Sequence, residues 1–136
     1  MKKVKVMTVF GTRPEAIKMA PVILELKKRS RQFDEVTVVT GQHREMLDQV
    51  LSVFHIEPKY NLNVMESKQT LSSLTSKVLL RLGKIIEKEK PYIVLVHGDT
   101  TTTLRLELRL FISKLRSGTL KRGCELGINI VLILRR

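Results

Sequence analysis

Two cations, Arg13 and Lys18, follow a glycine in the stretch VKVMTVFGTRPEAIK (Val4–Lys18). Residues of these types would hold an anion. If a helix starts here, its open N–H groups and dipole already favour negative charge. Arg13 at the helix start and Lys18 about one turn further on would add to that pull. The chemistry implied is phosphate or pyrophosphate binding. An ordinary strand–helix corner with solvated cations fits the same residues, because no fuller phosphate fingerprint is present. The pattern alone leaves both readings open.

The elements that must position these groups are legible nearby. Val4, Val6, Met7, Val9 and Phe10 form a short apolar run, as in a strand buried on both faces of a parallel sheet. Gly11 allows the turn, Thr12 suits a helix cap, and Pro14 suits a first helical turn. Apolar residues at Ala16, Ile17, Met19, Ala20, Val22, Ile23, Leu24 and Leu26 predict a helix over Pro14–Arg29 with a broad buried face. Its end turns basic, as a helix C-terminus prefers.

Val36–Thr40 predicts a second strand, and Gly41-Gln42-His43 a turn. Met46, Leu47, Val50, Leu51 and Phe54 predict a helix over Arg44–Phe54. Ile56–Asn63, with Pro58, reads as an irregular or extended connection. Thr70–Lys90 is a long amphipathic pattern stopped by Pro91, and Tyr92–Val96 (YIVLV) is a buried strand. The order β-α-β-α-α-β implies an α/β fold with a Rossmann-like, parallel, doubly wound sheet. Ligands in such sheets bind beyond the carboxyl ends of the strands. That rule places Gly11–Arg13, Gly41–His43 and His97–Thr100 on one rim, and it gathers Arg13, Gln42, His43, His97 and Asp99. Taken singly, each has a plainer role: hydrogen-bonded turn histidines, or Asp99 as a helix cap.

The 136 residues suffice for one ordinary domain with a core. With 43% hydrophobic residues and no Trp, that core must be mostly aliphatic. No apolar run approaches the roughly 18–20 residues of a spanning helix, so no membrane partner is expected. The single cysteine, Cys124, and the absence of a secretory pattern point to the cytoplasm. The net charge is +12. Residues 1–103 hold 17 Lys/Arg and 11 Asp/Glu, whereas 104–136 hold 8 and 2. The interspersed acids and the lack of an aromatic stacking platform argue against a nucleic-acid partner.

Three stretches then carry a resemblance. FGTRPEAIKMAP (Phe10–Pro21), TGQHREMLDQVL (Thr40–Leu51) and KPYIVLVHGDTTTT (Lys90–Thr103) resemble the non-hydrolysing UDP-N-acetylglucosamine 2-epimerases, without a gap from about Lys3 to Thr103. The resemblance implies the N-terminal half of a GT-B-type pair of Rossmann-like domains, with a sugar nucleotide in the cleft between them. It implies interconversion of UDP-N-acetylglucosamine and UDP-N-acetylmannosamine for surface polysaccharides. The route is elimination of UDP to a 2-acetamidoglucal, then re-addition with the opposite configuration at C2. No nicotinamide, other cofactor or metal is implied, and the family is usually homodimeric. Residue by residue, Arg13 and Lys18 match substrate-binding positions and Asp99 matches an active-site acid. Gln42 and His43 lie near a regulatory site for UDP-N-acetylglucosamine.

The resemblance stops at Thr103, which divides the chain into an incomplete Rossmann-like domain (1–103) and a tail (104–136). The family would continue into Gly-His-Val-Glu-Ala-Gly-Leu-Arg. Ordinary codon choices for Gly118–Glu125, read in the neighbouring frame, can give those eight residues, and Ile128–Leu134 can give Asn-Lys-Tyr-Ser-Pro-Tyr-Pro, the first base of each restored codon being free. A base lost near the codons for Thr103 and Leu104 would explain the tail as out-of-frame translation, and a single-base change in the DNA should then restore the family reading. The expected chain is a truncated, inactive epimerase fragment. The alternative is a standalone nucleotide- or anion-binding module without catalysis.

Overall fold

The computed structural model describes residues 2–41, 44–64, 67–68, 70–96, 118–123 and 130–135. Four parallel strands alternate with three helices: β1 (Val4–Phe10), α1 (Arg13–Lys28), β2 (Phe33–Val39), α2 (Arg44–Val53), β3 (Tyr60–Asn61), α3 (Leu71–Glu89) and β4 (Ile93–Val96). The strand order is β3-β2-β1-β4. β1 pairs with β2 from Val4↔Phe33 to Phe10↔Val39, and on its other side with β4 from Val6↔Ile93 to Val9↔Val96. Each strand is joined to the next through a helix, the crossover that parallel pairing requires.

The alternation of side chains along the strands divides the core in two. Met7, Val9, Val36, Val38 and Val94 pack with Val78, Leu82 and Ile86 of α3 on one face. Phe10 and Val39 pack with Ala16, Met19, Ala20 and Ile23 of α1 and with Leu47, Val50 and Leu51 of α2 on the other. From β1 the chain winds outward to β2 and β3 along one face, then returns along the other to β4. The winding direction therefore reverses between β1 and β4. Their carboxyl ends flank the crevice where sheets of this kind take ligands.

The sequence periods locate the helices to within one residue at each end. Thr70 caps α3, its hydroxyl accepting from the Ser73 N–H at 3.2 Å. Lys90 closes that helix in the left-handed region (φ 47°) just before Pro91. Three details differ from the sequence expectation. The Ile56–Asn63 connection contains β3, a two-residue strand whose Tyr60 and Asn61 pair with Val38 and Val39; so short a strand leaves no alternation to read. β2 begins at Phe33, because Phe33, Asp34 and Glu35 pair with β1 despite the charges of the last two. Ile17 and Met46, expected in the core, are exposed, and so is Tyr92, expected in the buried strand, which begins instead at Ile93. Beyond β4, Gly118–Gly123 (β5) and Ile130–Arg135 (β6) form an antiparallel pair.

At the end of the sheet opposite the ligand rim, Glu89 is a buried carboxylate with three donors. Lys5 Nζ lies 2.9 Å from it and Lys59 Nζ 2.7 Å, and the Tyr60 hydroxyl also donates to it. The network joins β1, β3 and the end of α3. Hydrogen bonds from Lys59 and Tyr60 hold the Glu89 pKa at about 2, below its ordinary 4.5, and the bond to Glu89 raises both lysines. A carboxylate depressed in the folded state stabilises fully above its unfolded pKa, and that contribution fades as pH falls from about 4.5 towards 2. The lysines' share persists up to about 10.5 and fades above it. Glu89→Gln is expected to cost about 1–2 kcal/mol at pH 7 and to flatten the loss of stability between pH 5 and 2. Urea denaturation across that range checks both effects.

Candidate functional site

The rim at the carboxyl ends of the strands is built around the first turn of α1. Phe10 ends β1, Gly11 turns, and Thr12 is the extended N-cap (φ −116°, ψ 160°) of a helix with proline in its first turn. Glu15 is buried at 5% exposure, and its Oε2 accepts the Gly11 N–H at 2.9 Å and the Thr12 N–H at 3.2 Å. Sequence reasoning passed over Glu15. The signal was present, because Thr12-x-x-Glu15 is the spacing of a capping box.

Glu15 changes the account of how an anion would be held. Two N–H donors beside the helix start are used internally, by a group that is itself an anion at the positive end of the dipole. The bare helix end is thus a weaker anion site than its sequence suggests. Arg13 and Lys18 are both exposed. Five residues apart, they stand about 140° apart around the helix axis, so they flank the rim end of α1 rather than stack on one face. Arg13 is the first helical residue.

The β2 end of the rim is tied to the β1 end through Thr40, whose N–H donates to the Phe10 carbonyl at 3.0 Å. Gly41 follows with φ 79°, a backbone conformation that favours glycine. Beside it, the 61–63 turn is fixed by the Asn61 side chain accepting the Asn63 N–H at 3.0 Å. Arg81 donates to the carbonyls of Leu62 and, at 2.8 Å, Asn63. Arg81 is a further residue that the sequence did not point to; it reaches the rim from α3. Gln42, His43, His97 and Asp99 lie outside the described residues, as does the boundary expected at Thr103. Among the described residues, Arg13 heads α1 at the rim, and Lys18 lies five residues further along the helix. A groove of about 320 Å3 lined by Asp48, Ser52, His55 and Glu57, among others, opens at the far end of α2 and includes none of the expected site residues.

Among the described residues no cluster of three or more His, Cys, Asp or Glu could hold a metal ion, and no helix is long and apolar enough to cross a membrane. The model of the family described as UDP-N-acetylglucosamine 2-epimerase matches residues 24–116. The chain belongs to this family.

The UDP-N-acetylglucosamine 2-epimerase of Bacillus subtilis is 55% identical over 127 residues, covering 93% of this chain and 33% of its own length. A solved UDP-N-acetylglucosamine 2-epimerase superposes with a TM-score of 0.74 at 53% identity, over 93% of this chain and 35% of that one. The enzyme from Neisseria meningitidis, solved with UDP-GlcNAc bound, gives 0.72 at 50% identity, over 91% and 34%. The α/β Rossmann-like fold is thus the one found in GT-B-type epimerases. The chain spans about a third of the length of the curated relatives it matches. Both the family match and the Bacillus alignment reach past Thr103.

Proposed function

We propose that this chain carries the nucleotide-binding wall of a UDP-N-acetylglucosamine 2-epimerase, and that the 136 residues alone bind UDP without turning over the sugar nucleotide. The observation that supports the reading is a strand–turn–helix whose helix carries the exposed cations Arg13 and Lys18, in a chain about half identical to epimerases, one of them solved with UDP-GlcNAc. Leaving UDP gains negative charge as its bond to C1 breaks, and fixed cations stabilise that state more than the ground state. Arg13 and Lys18 would meet the phosphates. Asp99, at the family's acid position in the segment after β4, would handle a proton at C2. Gln42 and His43 would belong to the second, regulatory nucleotide site.

Domain 1–103 is then one wall of a cleft, and 104–136 is read as out-of-frame translation, although the family match and the Bacillus alignment extend into it. One wall can neither enclose the substrate nor exclude water from it. Polysaccharide-precursor synthesis in the cytoplasm, a homodimeric full-length relative and the absence of a nucleic-acid partner complete the reading. A coupled assay for UDP-N-acetylmannosamine formation is expected to show no turnover by the purified chain. Measurable turnover would sink the one-wall account, and a folded chain with no affinity for UDP would sink the nucleotide site.

A further inference from the structure

Thr40 closes β2 with its side chain buried at 5% exposure, and its Oγ1 has no hydrogen-bond partner among the described residues. That oxygen occupies the space beside Gly11 where a side chain would begin. A Cβ on Gly11 would lie 2.0 Å from Oγ1 and 3.3 Å from the Thr40 Cβ. The Thr40 backbone is committed to both neighbours: its N–H donates to Phe10, and its carbonyl accepts from the Val64 N–H at 3.1 Å.

A buried hydroxyl without a partner costs stability, and valine is the apolar residue of nearly the same shape. Among the described residues, then, no hydrogen bond explains the threonine by stability. Compared with a methyl group, the hydroxyl oxygen is smaller, and size matters most at the contact with Gly11. Gly11 opens the turn that delivers Arg13 to the rim. We propose that Thr40 is a positioning residue for the anion site. Its Oγ1 sets how closely the end of β2 approaches the Gly11 turn, and hence how the first turn of α1 presents Arg13. The inference rests on the reading of that turn as a UDP-phosphate site and deepens it.

The test compares UDP affinity by calorimetry with thermal stability in the 136-residue chain. Thr40→Val is expected to weaken UDP binding about tenfold with no fall in Tm, because it removes a hydroxyl with no partner among the described residues while crowding Gly11. Thr40→Ser keeps the oxygen and is expected to bind within about threefold of the parent. Unchanged affinity in the valine variant overturns the proposal, and so does a loss that merely follows a lowered Tm. If the parent chain binds no UDP, the nucleotide reading fails, and the Gly11 contact is decided without ligand. Gly11→Ala is expected to lower Tm by several degrees, and adding Thr40→Ala should recover more than half of that loss. No recovery overturns the contact.

Discussion

Glu15→Ala is expected to lower folding stability by about 2–3 kcal/mol, a large share of a small domain's total. The carboxylate is buried and accepts two backbone N–H groups, those of Gly11 and Thr12. Alanine leaves those donors without their acceptor, removes the reciprocal arm of the cap, and takes a negative charge from the positive end of α1. Glu15→Gln keeps one acceptor oxygen and should lose roughly half as much. UDP affinity should fall as well, because the turn that orients Arg13 loses its internal clamp. Urea denaturation gives the first quantity and calorimetry the second. A Glu15→Ala chain as stable as its parent would mean that the two hydrogen bonds do not hold the turn.

Arg13→Ala is expected to do the reverse: little to stability and much to binding. Arg13 is exposed at the first helical position, where substitutions commonly stay within about 0.5 kcal/mol. Its guanidinium can grip phosphate oxygens with two parallel hydrogen bonds, each charge-assisted. Losing that grip is expected to weaken UDP binding about 10- to 100-fold, which corresponds to roughly 1.4–2.8 kcal/mol. Lys18→Ala should cost less, about three- to tenfold, because an ammonium acts as a point charge without the planar fork. The gap between the two variants measures how far recognition depends on geometry rather than on net charge. Equal losses would place both residues in a diffuse field, with no defined phosphate contact.

Much of this was legible in the sequence, for identifiable reasons. The helices carry strong periods and clear stops, so Thr70 and Pro91 frame α3 closely. The parallel sheet follows from strands separated by helices, and the rim follows from the sheet. β3 escaped because two residues show no alternation, and the start of β2 escaped because its charged residues mask a paired strand. Ile17 and Met46 lie at helical spacing from core residues yet face outward, since a wide apolar stripe does not mark its own edge. The site was less legible than the fold. Arg13 and Lys18 announce themselves by charge, whereas Glu15 and Thr40 act through burial and one-sided contacts that a linear pattern does not display. Glu15 could have been read from the capping-box spacing. The Thr40 hydroxyl against Gly11 could not, because it joins residues 29 positions apart across neighbouring strands.

If the first turn of α1, with Arg13 at its head, forms a nucleotide-phosphate site, UDP must bind this chain there. A calorimetric titration of UDP into the folded 136-residue protein tests it most directly. Saturable one-to-one binding is expected, weakened at least tenfold by Arg13→Ala with Tm unchanged. Binding of equal strength in the Arg13→Ala chain, or no binding by a chain that melts cooperatively, would contradict it.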